Sequence, residues 1–226
     1  MLRRKILNEA DLDRIAEATR LAELKTSGEI VTVITNRSGS YTGHVLLAAT
    51  VVLFVVSVGY LTLLGPVAAL LQRLFWAYDV RHALGVLVFC QAAAFILSYI
   101  VLTVWPGLKS LIISRKDKVD KVRRKAESDF FRHHVAATKG ATGVLVYISR
   151  FERRVELLVD AGIAAKIPQE TWKSVVDGII AGIKGPDFVK DLCAQIVRIG
   201  ETLSKDFPRR ADDVNELPDR PVVEVP

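Results

Sequence analysis

The side chains best suited to chemistry lie on and beside one predicted strand, residues 154–160 (RVELLVD). Asp160 ends this strand just before Gly162, where a carboxylate could face a cleft. Arg153 and Arg154 stand at its beginning, and an arginine pair can hold a phosphate group through forked hydrogen bonds. The same residues also suit plain turns, because aspartate bonds the backbone there and turn arginines are solvated. Asp160, Arg153 and Arg154 are therefore weak candidates for catalysis on a phosphate ester.

Histidines and cysteines form no recognisable metal or redox motif in this sequence. His133 and His134 are adjacent on a predicted helix, so they point in different directions and cannot chelate one ion as an i, i+4 pair would. Cys90 and Cys193 are far apart, and no Cys/His cluster has the spacing of metal ligands. The sequence also contains no Gly-rich phosphate loop, nucleophile elbow or zinc-protease motif. We therefore expect no cofactor and assign no metal ligand.

Two apolar segments, residues 45–64 and 84–104, contain no charged residue. A helix rises about 1.5 Å per residue, so roughly 20 apolar residues cross a bilayer core of about 30 Å. Their length and hydropathy favour two membrane-spanning helices over buried helices of a soluble core. Between them, Trp76 and Tyr78 suit the lipid headgroup boundary. We therefore expect the lipid bilayer to be one partner of the chain.

The distribution of basic residues predicts the orientation of these spans. Residues 1–44 carry seven lysines and arginines, residues 109–125 carry eight, and the connection 65–83 carries two. The positive-inside rule then places both termini in the cytoplasm. This pattern predicts a membrane protein with two spans, whose connecting loop lies on the other side of the membrane.

The basic run after the second span is the strongest charge feature of the chain. It consists of Lys109, Arg115, Lys116, Lys118, Lys121, Arg123, Arg124 and Lys125. One interpretation is a topology anchor with a solvated helix face. The other is a membrane-surface site, where each basic residue near anionic lipid adds about 1 kcal/mol of attraction. The net charge of +6 does not indicate nucleic-acid binding, because no aromatic residues interleave with these charges.

Helix and strand patterns occur on both sides of the apolar segments. The predicted strands are rich in β-branched and aliphatic residues: 29–35 (EIVTVIT), 143–149 (GVLVYIS) and 154–160. Helical periodicity covers residues 8–27, 117–137, 187–205 and a segment that begins at Pro168. A lone helix–strand unit cannot bury its apolar face. We therefore predict one α/β domain, a small sheet flanked by helices, that is interrupted by a transmembrane helical hairpin.

This interpretation divides the chain into four segments. They are residues 1–40, the first helix–strand part of the domain; 41–107, the transmembrane hairpin; 108–206, the remainder of the domain; and 207–226, an extended C-terminal tail. The tail holds four prolines and many charges, which disfavour a packed core.

Three stretches of this sequence resemble the TPM domain family. They are TSGEIVTVI, ATGVLVYISRFERRVELLVDAGIAAKI and ETWKSVVDGIIAGI, which begin at residues 26, 141 and 170. The match is closest to a bacterial subgroup with a two-span hairpin inside the domain. The resemblance implies a small α/β sandwich with helices on both sides of a sheet.

The resemblance also bears on activity. Some soluble members of this family are linked to acid phosphatase activity and divalent-cation binding. Such members have an Asn/Asp pair before the GVLL-type strand and an acidic residue at the start of the helix after the hairpin. Here those positions read Ala141-Thr142 and Pro168-Gln169, so the carboxylates that would hold a hard cation are missing. This departure argues against a divalent cation as cofactor.

The sequence therefore favours one function over two others. We expect a cytoplasmic TPM-like module that binds a protein partner, such as a membrane complex under assembly or repair. The main alternative is a divalent-cation-dependent, phosphatase-like hydrolase, which rests mainly on family analogy. A third hypothesis is a lipid-sensing domain that uses the basic run.

Overall fold

A computed structural model describes residues 7–74 and 79–224 of the 226-residue chain. The chain divides into two compact units. Unit 1 comprises residues 1–39 and 115–226, and unit 2 comprises residues 40–114. Unit 2 is therefore an insertion, and unit 1 must assemble from two separate pieces of chain.

A four-stranded sheet joins the two pieces of unit 1. Its strands are β1 (Glu29–Thr35), β2 (Gly143–Ser149), β3 (Arg154–Val159) and β4 (Val222–Glu224). Their order across the sheet is β3-β2-β1-β4. The central strands β1 and β2 are parallel and in register from the Glu29–Gly143 pair to the Thr35–Ser149 pair. Strand β3 is antiparallel to β2, and β4 is parallel to β1.

Burial explains why β1 and β2 lack a polar face. Every residue of both strands is buried, as expected for central parallel strands that are covered on both sides. Strand β3 lies at an edge, and its buried residues Val155 and Leu157 alternate with half-buried ones. At the start of β2, a Cβ atom on Gly143 would lie 2.1 Å from the Val135 carbonyl oxygen. Only glycine permits this close approach of two backbone segments.

Helices cover both faces of the sheet. They are α1 (Glu9–Glu23), α6 (Arg115–Arg132), α7 (Ala161–Ala164), α8 (Lys173–Lys184) and α9 (Phe188–Asp206). Helices α1, α8 and α9 pack on the face that carries Ile30 and Val146. Helix α6 packs on the other face, against Val31 and Tyr147. The α/β fold class that the sequence predicts, a small sheet flanked by helices, is thereby confirmed.

The C-terminal tail is more ordered than the sequence suggests. Its last described residues form β4, because the free edge of β1 offers unpaired backbone groups and Val222 and Val223 favour extended structure. The tail begins at a bridge between Thr26 and Pro208. Further along, Arg220 forms ion pairs with α1, at 2.5 Å to Glu9 and 3.1 Å to Asp13. These contacts hold the tail against the rest of unit 1.

All regular secondary structure in the described residues of unit 2 is helical. Its helices are α2 (Thr42–Thr62), α3 (Leu64–Leu74), α4 (Val80–Val104) and α5 (Pro106–Ile112). Helices α2 and α4 lie side by side. The Tyr60 hydroxyl donates a hydrogen bond to the Ala83 carbonyl at 2.6 Å, and Gln91 Nε2 donates to Ser57 Oγ at 2.7 Å. These bonds satisfy polar groups inside otherwise apolar helices.

Two helices of unit 2 are long and apolar enough to cross a membrane. They are Thr42–Thr62, with 21 residues, and Arg81–Val104, with 24. Their surfaces expose large apolar side chains, including Phe54 (67% exposed) and Phe89 (73%). Water disfavours such exposure and lipid does not. Trp76 and Tyr78, which we assign to the headgroup boundary, lie outside the described residues.

Candidate functional site

Asp160 occupies a capping position at the carboxyl end of β3. Its Oδ1 accepts a hydrogen bond from the Ala161 backbone N–H at 2.6 Å, which caps α7. Its backbone N–H donates to the Gly143 carbonyl at 2.9 Å. Asp160 Oδ2 is buried without a hydrogen-bond partner in the described part of the chain. The structure thus gives Asp160 a turn role beside β2.

The arginine candidates lie at the opposite end of β3. Arg153 belongs to the β2–β3 turn, where it is exposed and has a φ of 51°. Arg154 is the first residue of β3, paired with Ser149. Six residue steps separate Arg154 from Asp160, or about 20 Å along an extended strand. The structure therefore does not bring Asp160 and the two arginines into one phosphate site.

The turn beside these arginines holds a buried carboxylate. Glu152 accepts hydrogen bonds from the Ser38 backbone N–H at 3.2 Å and from the Ser149 hydroxyl. Ser38 Oγ also lies 3.0 Å from the Tyr147 hydroxyl. Burial raises the pKa of Tyr147, so its hydroxyl stays protonated. Glu152 thus fastens the residues that follow β1 to the β2–β3 turn.

The structure divides the basic run between the two units. Lys109 lies in α5 of unit 2, and the other seven residues lie in α6 of unit 1. Four of those seven side chains are exposed: Arg115, Lys116, Arg123 and Arg124. Arg123 forms a 2.9 Å ion pair with Glu127, one turn further along α6. A role for this run at a membrane surface stays a prediction.

The last turns of α6 build a charged cluster against the C-terminal strand. Lys125 Nζ lies 3.0 Å from Asp129 Oδ1 and 3.1 Å from Glu224 Oε2. Arg132 pairs with Asp129 at 2.6 Å and also with Glu224. His133 completes this group, which we call the tail cluster. The Asp129 side chain is fully buried, so the ion pairs with these partners compensate for the loss of water around its carboxylate.

Three members of the tail cluster could bind a metal ion together. Asp129, His133 and Glu224 each offer one ligand atom, and these atoms lie within 4.8 Å of one another. Asp129 and His133 are four residues apart, so they share one helix face. Glu224 joins them because β4 pairs with the end of β1. Burial and the neighbouring Arg132 lower the pKa of His133, which favours the neutral, metal-binding form of the ring.

Sequence reasoning missed this group because it compared the histidines only with each other. The sequence signal for this group is the Asp-x-x-x-His spacing of Asp129 and His133. Glu224 lies 91 residues beyond His133, in a segment without strand periodicity. Only the paired tail brings it to α6.

A second group of carboxylates holds the tail at the amino end of the sheet. Glu29 accepts hydrogen bonds from the backbone N–H groups of Glu216 and Leu217, both at 3.3 Å. Glu23 Oε1 accepts from the Ile30 backbone N–H at 2.8 Å. Burial raises the pKa of Glu23 to about 9, and the nearby charges of Glu29 and Asp219 act in the same direction. Burial also raises the pKa of Glu29.

The position where the resemblance to the TPM family would place cation ligands carries different groups here. Thr142 lies just before β2 and lines a small pocket together with Ser27 and Lys139. The tail residues Asp213 and Glu216 line the same pocket. The Lys139 backbone N–H donates to Glu216 Oε2 at 3.2 Å. The tail thus covers the place where the resemblance would put a bound cation.

Comparison with known proteins supports the fold and gives no information on function. No family model matches the chain, and no curated protein is significantly similar to it. Its structure is similar to the NMR structure of the BA42 protein from the psychrophilic bacterium Bizionia argentinensis, with a TM-score of 0.58. The two are 18% identical, and the match covers 99% of each chain. At this identity the likeness shows a shared α/β fold with a bacterial protein.

We predict that Glu23→Gln stabilises the protein above neutral pH. The pKa of Glu23 rises from 4.5 to about 9 on folding. The native state therefore keeps a proton that the unfolded state releases, and stability falls as pH rises between these values. Glutamine keeps the acceptor for Ile30 and cannot ionise. In urea titrations, the variant should exceed wild type by about 1–2 kcal/mol at pH 8 and match it near pH 4.

Glu17→Gln is the matched control for this experiment. Glu17 lies on the same helix, but its side chain is 54% exposed in an ion pair with Arg20. This variant should keep the wild-type dependence on pH. A wild-type stability that is constant between pH 5 and pH 9 would contradict the shifted pKa of Glu23.

Proposed function

We propose that this chain is a TPM-like integral protein of a bacterial inner membrane, with both termini in the cytoplasm. Unit 1 acts as a binding module for a protein partner at the membrane. The observation that carries the proposal is the pairing of β1 with β2 across the inserted helices of unit 2.

This pairing constrains the topology of the chain. Strand β1 ends before α2, and β2 begins after α5, yet the two strands are hydrogen-bonded along their whole length. The two pieces of unit 1 must therefore fold on the same side of any membrane that unit 2 enters. The two long apolar helices satisfy this requirement, because two crossings return the chain to its original side.

The charge distribution supports a cytoplasmic position for unit 1. Residues 1–44 and 109–125 together carry fifteen lysines and arginines, against two in residues 65–83. The excess lies next to the ends of the apolar helices, where the positive-inside rule applies. The basic run on α6 would then face a cytoplasmic environment and, where it reaches the bilayer, anionic headgroups.

The side chains of unit 1 support binding better than hydrolysis. Asp160 serves as a helix cap, and the arginine candidates lie about 20 Å away at the other end of β3. Phe131, by contrast, is 69% exposed at the end of α6, beside the charged Arg132. A large exposed aromatic side chain with a charged rim is typical of an anchor in a protein interface.

We predict that reporters placed along the chain will show two crossings. A green fluorescent protein fused after residue 226 should fluoresce, because it folds in the cytoplasm. Alkaline phosphatase inserted after Leu74 should be active, since the connection between the spans lies outside. Active phosphatase at the C-terminus would contradict this topology. The same phosphatase inserted after Lys184, an exposed residue of unit 1, is the inactive control.

A second prediction concerns the partner. A photoreactive amino acid at position 131 should crosslink, in intact cells, to a protein that is not captured from position 184. Phe131→Ser should reduce co-purification of that same protein at least tenfold, because the interface loses its aromatic anchor. Equal capture from both positions, or recovery of this chain alone, would argue against a partner at this surface. Purified protein that hydrolyses phosphate esters, with Asp160→Ala inactive, would favour the hydrolase instead.

A further inference from the structure

Two atoms of the tail cluster lack the partners that buried polar atoms normally have. Asp129 Oδ2 and His133 Nε2 are both buried, and neither has a hydrogen-bond partner within residues 7–74 and 79–224. A carboxylate oxygen only accepts, and a neutral imidazole with its proton on Nδ1 presents a lone pair at Nε2. In that tautomer both atoms present lone pairs, which a metal cation accepts.

We propose that Asp129, His133 and Glu224 form a binding site for a divalent transition-metal ion of the Zn²⁺ class. The three ligand atoms already lie within 4.8 Å of one another. Ligand bonds of about 2.0–2.2 Å would require them to move somewhat closer around a common ion. This site departs from the sequence analysis, which assigned no metal ligand. It also differs from the positions of Thr142 and Gln169, where the family resemblance implies cation ligands.

The ligand set indicates which ions fit. One imidazole nitrogen with two carboxylate oxygens suits Zn²⁺, Co²⁺ or Ni²⁺, whereas Mg²⁺ and Ca²⁺ prefer oxygen alone. Three protein ligands leave at least one coordination position for water. Asp129 is fixed by burial and by its place on α6, so one ligand is already held in position.

One lysine and one arginine side chain compete with the ion for the carboxylates. Lys125 and Arg132 neutralise both carboxylates of the cluster, and a cation that enters must displace at least one of them. The Arg132 side chain is 49% exposed, so it can turn outward into solvent. This competition gives the proposal a distinctive consequence, because loss of Arg132 should strengthen metal binding rather than weaken it.

A metal ion at this site would fasten the tail to the sheet. Asp129 lies in the last turn of α6 and His133 directly follows the helix, whereas Glu224 belongs to β4, which pairs with β1 through three residues. Coordination would add a crosslink between the helix and this short strand. Binding of the ion would therefore reduce the opening of β4.

The test is metal binding by the full-length, tag-free protein in nanodiscs. After treatment with a chelator, equilibrium dialysis against Zn²⁺ should give one ion per chain, and Co²⁺ should give a visible spectrum of nitrogen and oxygen coordination. His133→Ala should weaken affinity at least tenfold, and Arg132→Gln should increase it at least threefold. The loss of affinity in His133→Ala could result from misfolding alone. A gain of affinity in Arg132→Gln could not, so this variant tests the site independently of protein stability.

His134→Asn is the matched control. His134 is exposed with a φ of 57°, which asparagine tolerates, and it should bind metal as the wild type does. Hydrogen exchange gives a second readout: Zn²⁺ should slow exchange of the amides of residues 222–224 in the wild type and not in His133→Ala. Unchanged affinity in His133→Ala, or weaker binding in Arg132→Gln, would overturn the proposal.

Discussion

The structure depends on one pairing, that of β1 with β2. These strands come from different pieces of the chain, and an insertion of 75 residues, 40–114, separates the pieces. Both strands are buried on both faces, so their apolar side chains are kept from water by each other and by the helices that cover them. The pairing thus joins the two pieces of unit 1. It also requires the chain to enter and leave the inserted segment next to the same sheet.

The C-terminal tail is the second constraint. It completes the sheet beside β1 and is held at separate points by Glu29, by the pairs of Arg220 with α1, and by the tail cluster. Exposed ion pairs contribute little on their own, about 0–1 kcal/mol each. The buried Asp129 differs, because removing its partners would leave a charge without compensation. The position of β4 therefore depends on charged side chains, and a ligand or partner that binds these side chains would change how firmly β4 is held.

Local sequence patterns predict most of the elements but not their long-range contacts. The apolar runs of β1 and β2, the amphipathic α9 and the two long apolar helices depend on residues close together in sequence, and such signals are strong. Strand β4 has three residues and pairs with the free edge of β1, a contact between segments far apart in sequence. The separation of Asp160 from Arg154 follows from the length of β3, which the sequence also predicts. The tail cluster required a contact between α6 and residue 224, which no local pattern encodes.

The most direct test of this account is amide hydrogen exchange in β2. The full chain is compared with a chain that starts at residue 40 and so lacks the first piece of unit 1, with α1 and β1. If β1 completes the sheet, residues 143–149 should be strongly protected in the full chain and should lose that protection in the shorter one. Equal protection in both chains would show that β2 folds without β1, and the proposed assembly across the inserted helices would be wrong.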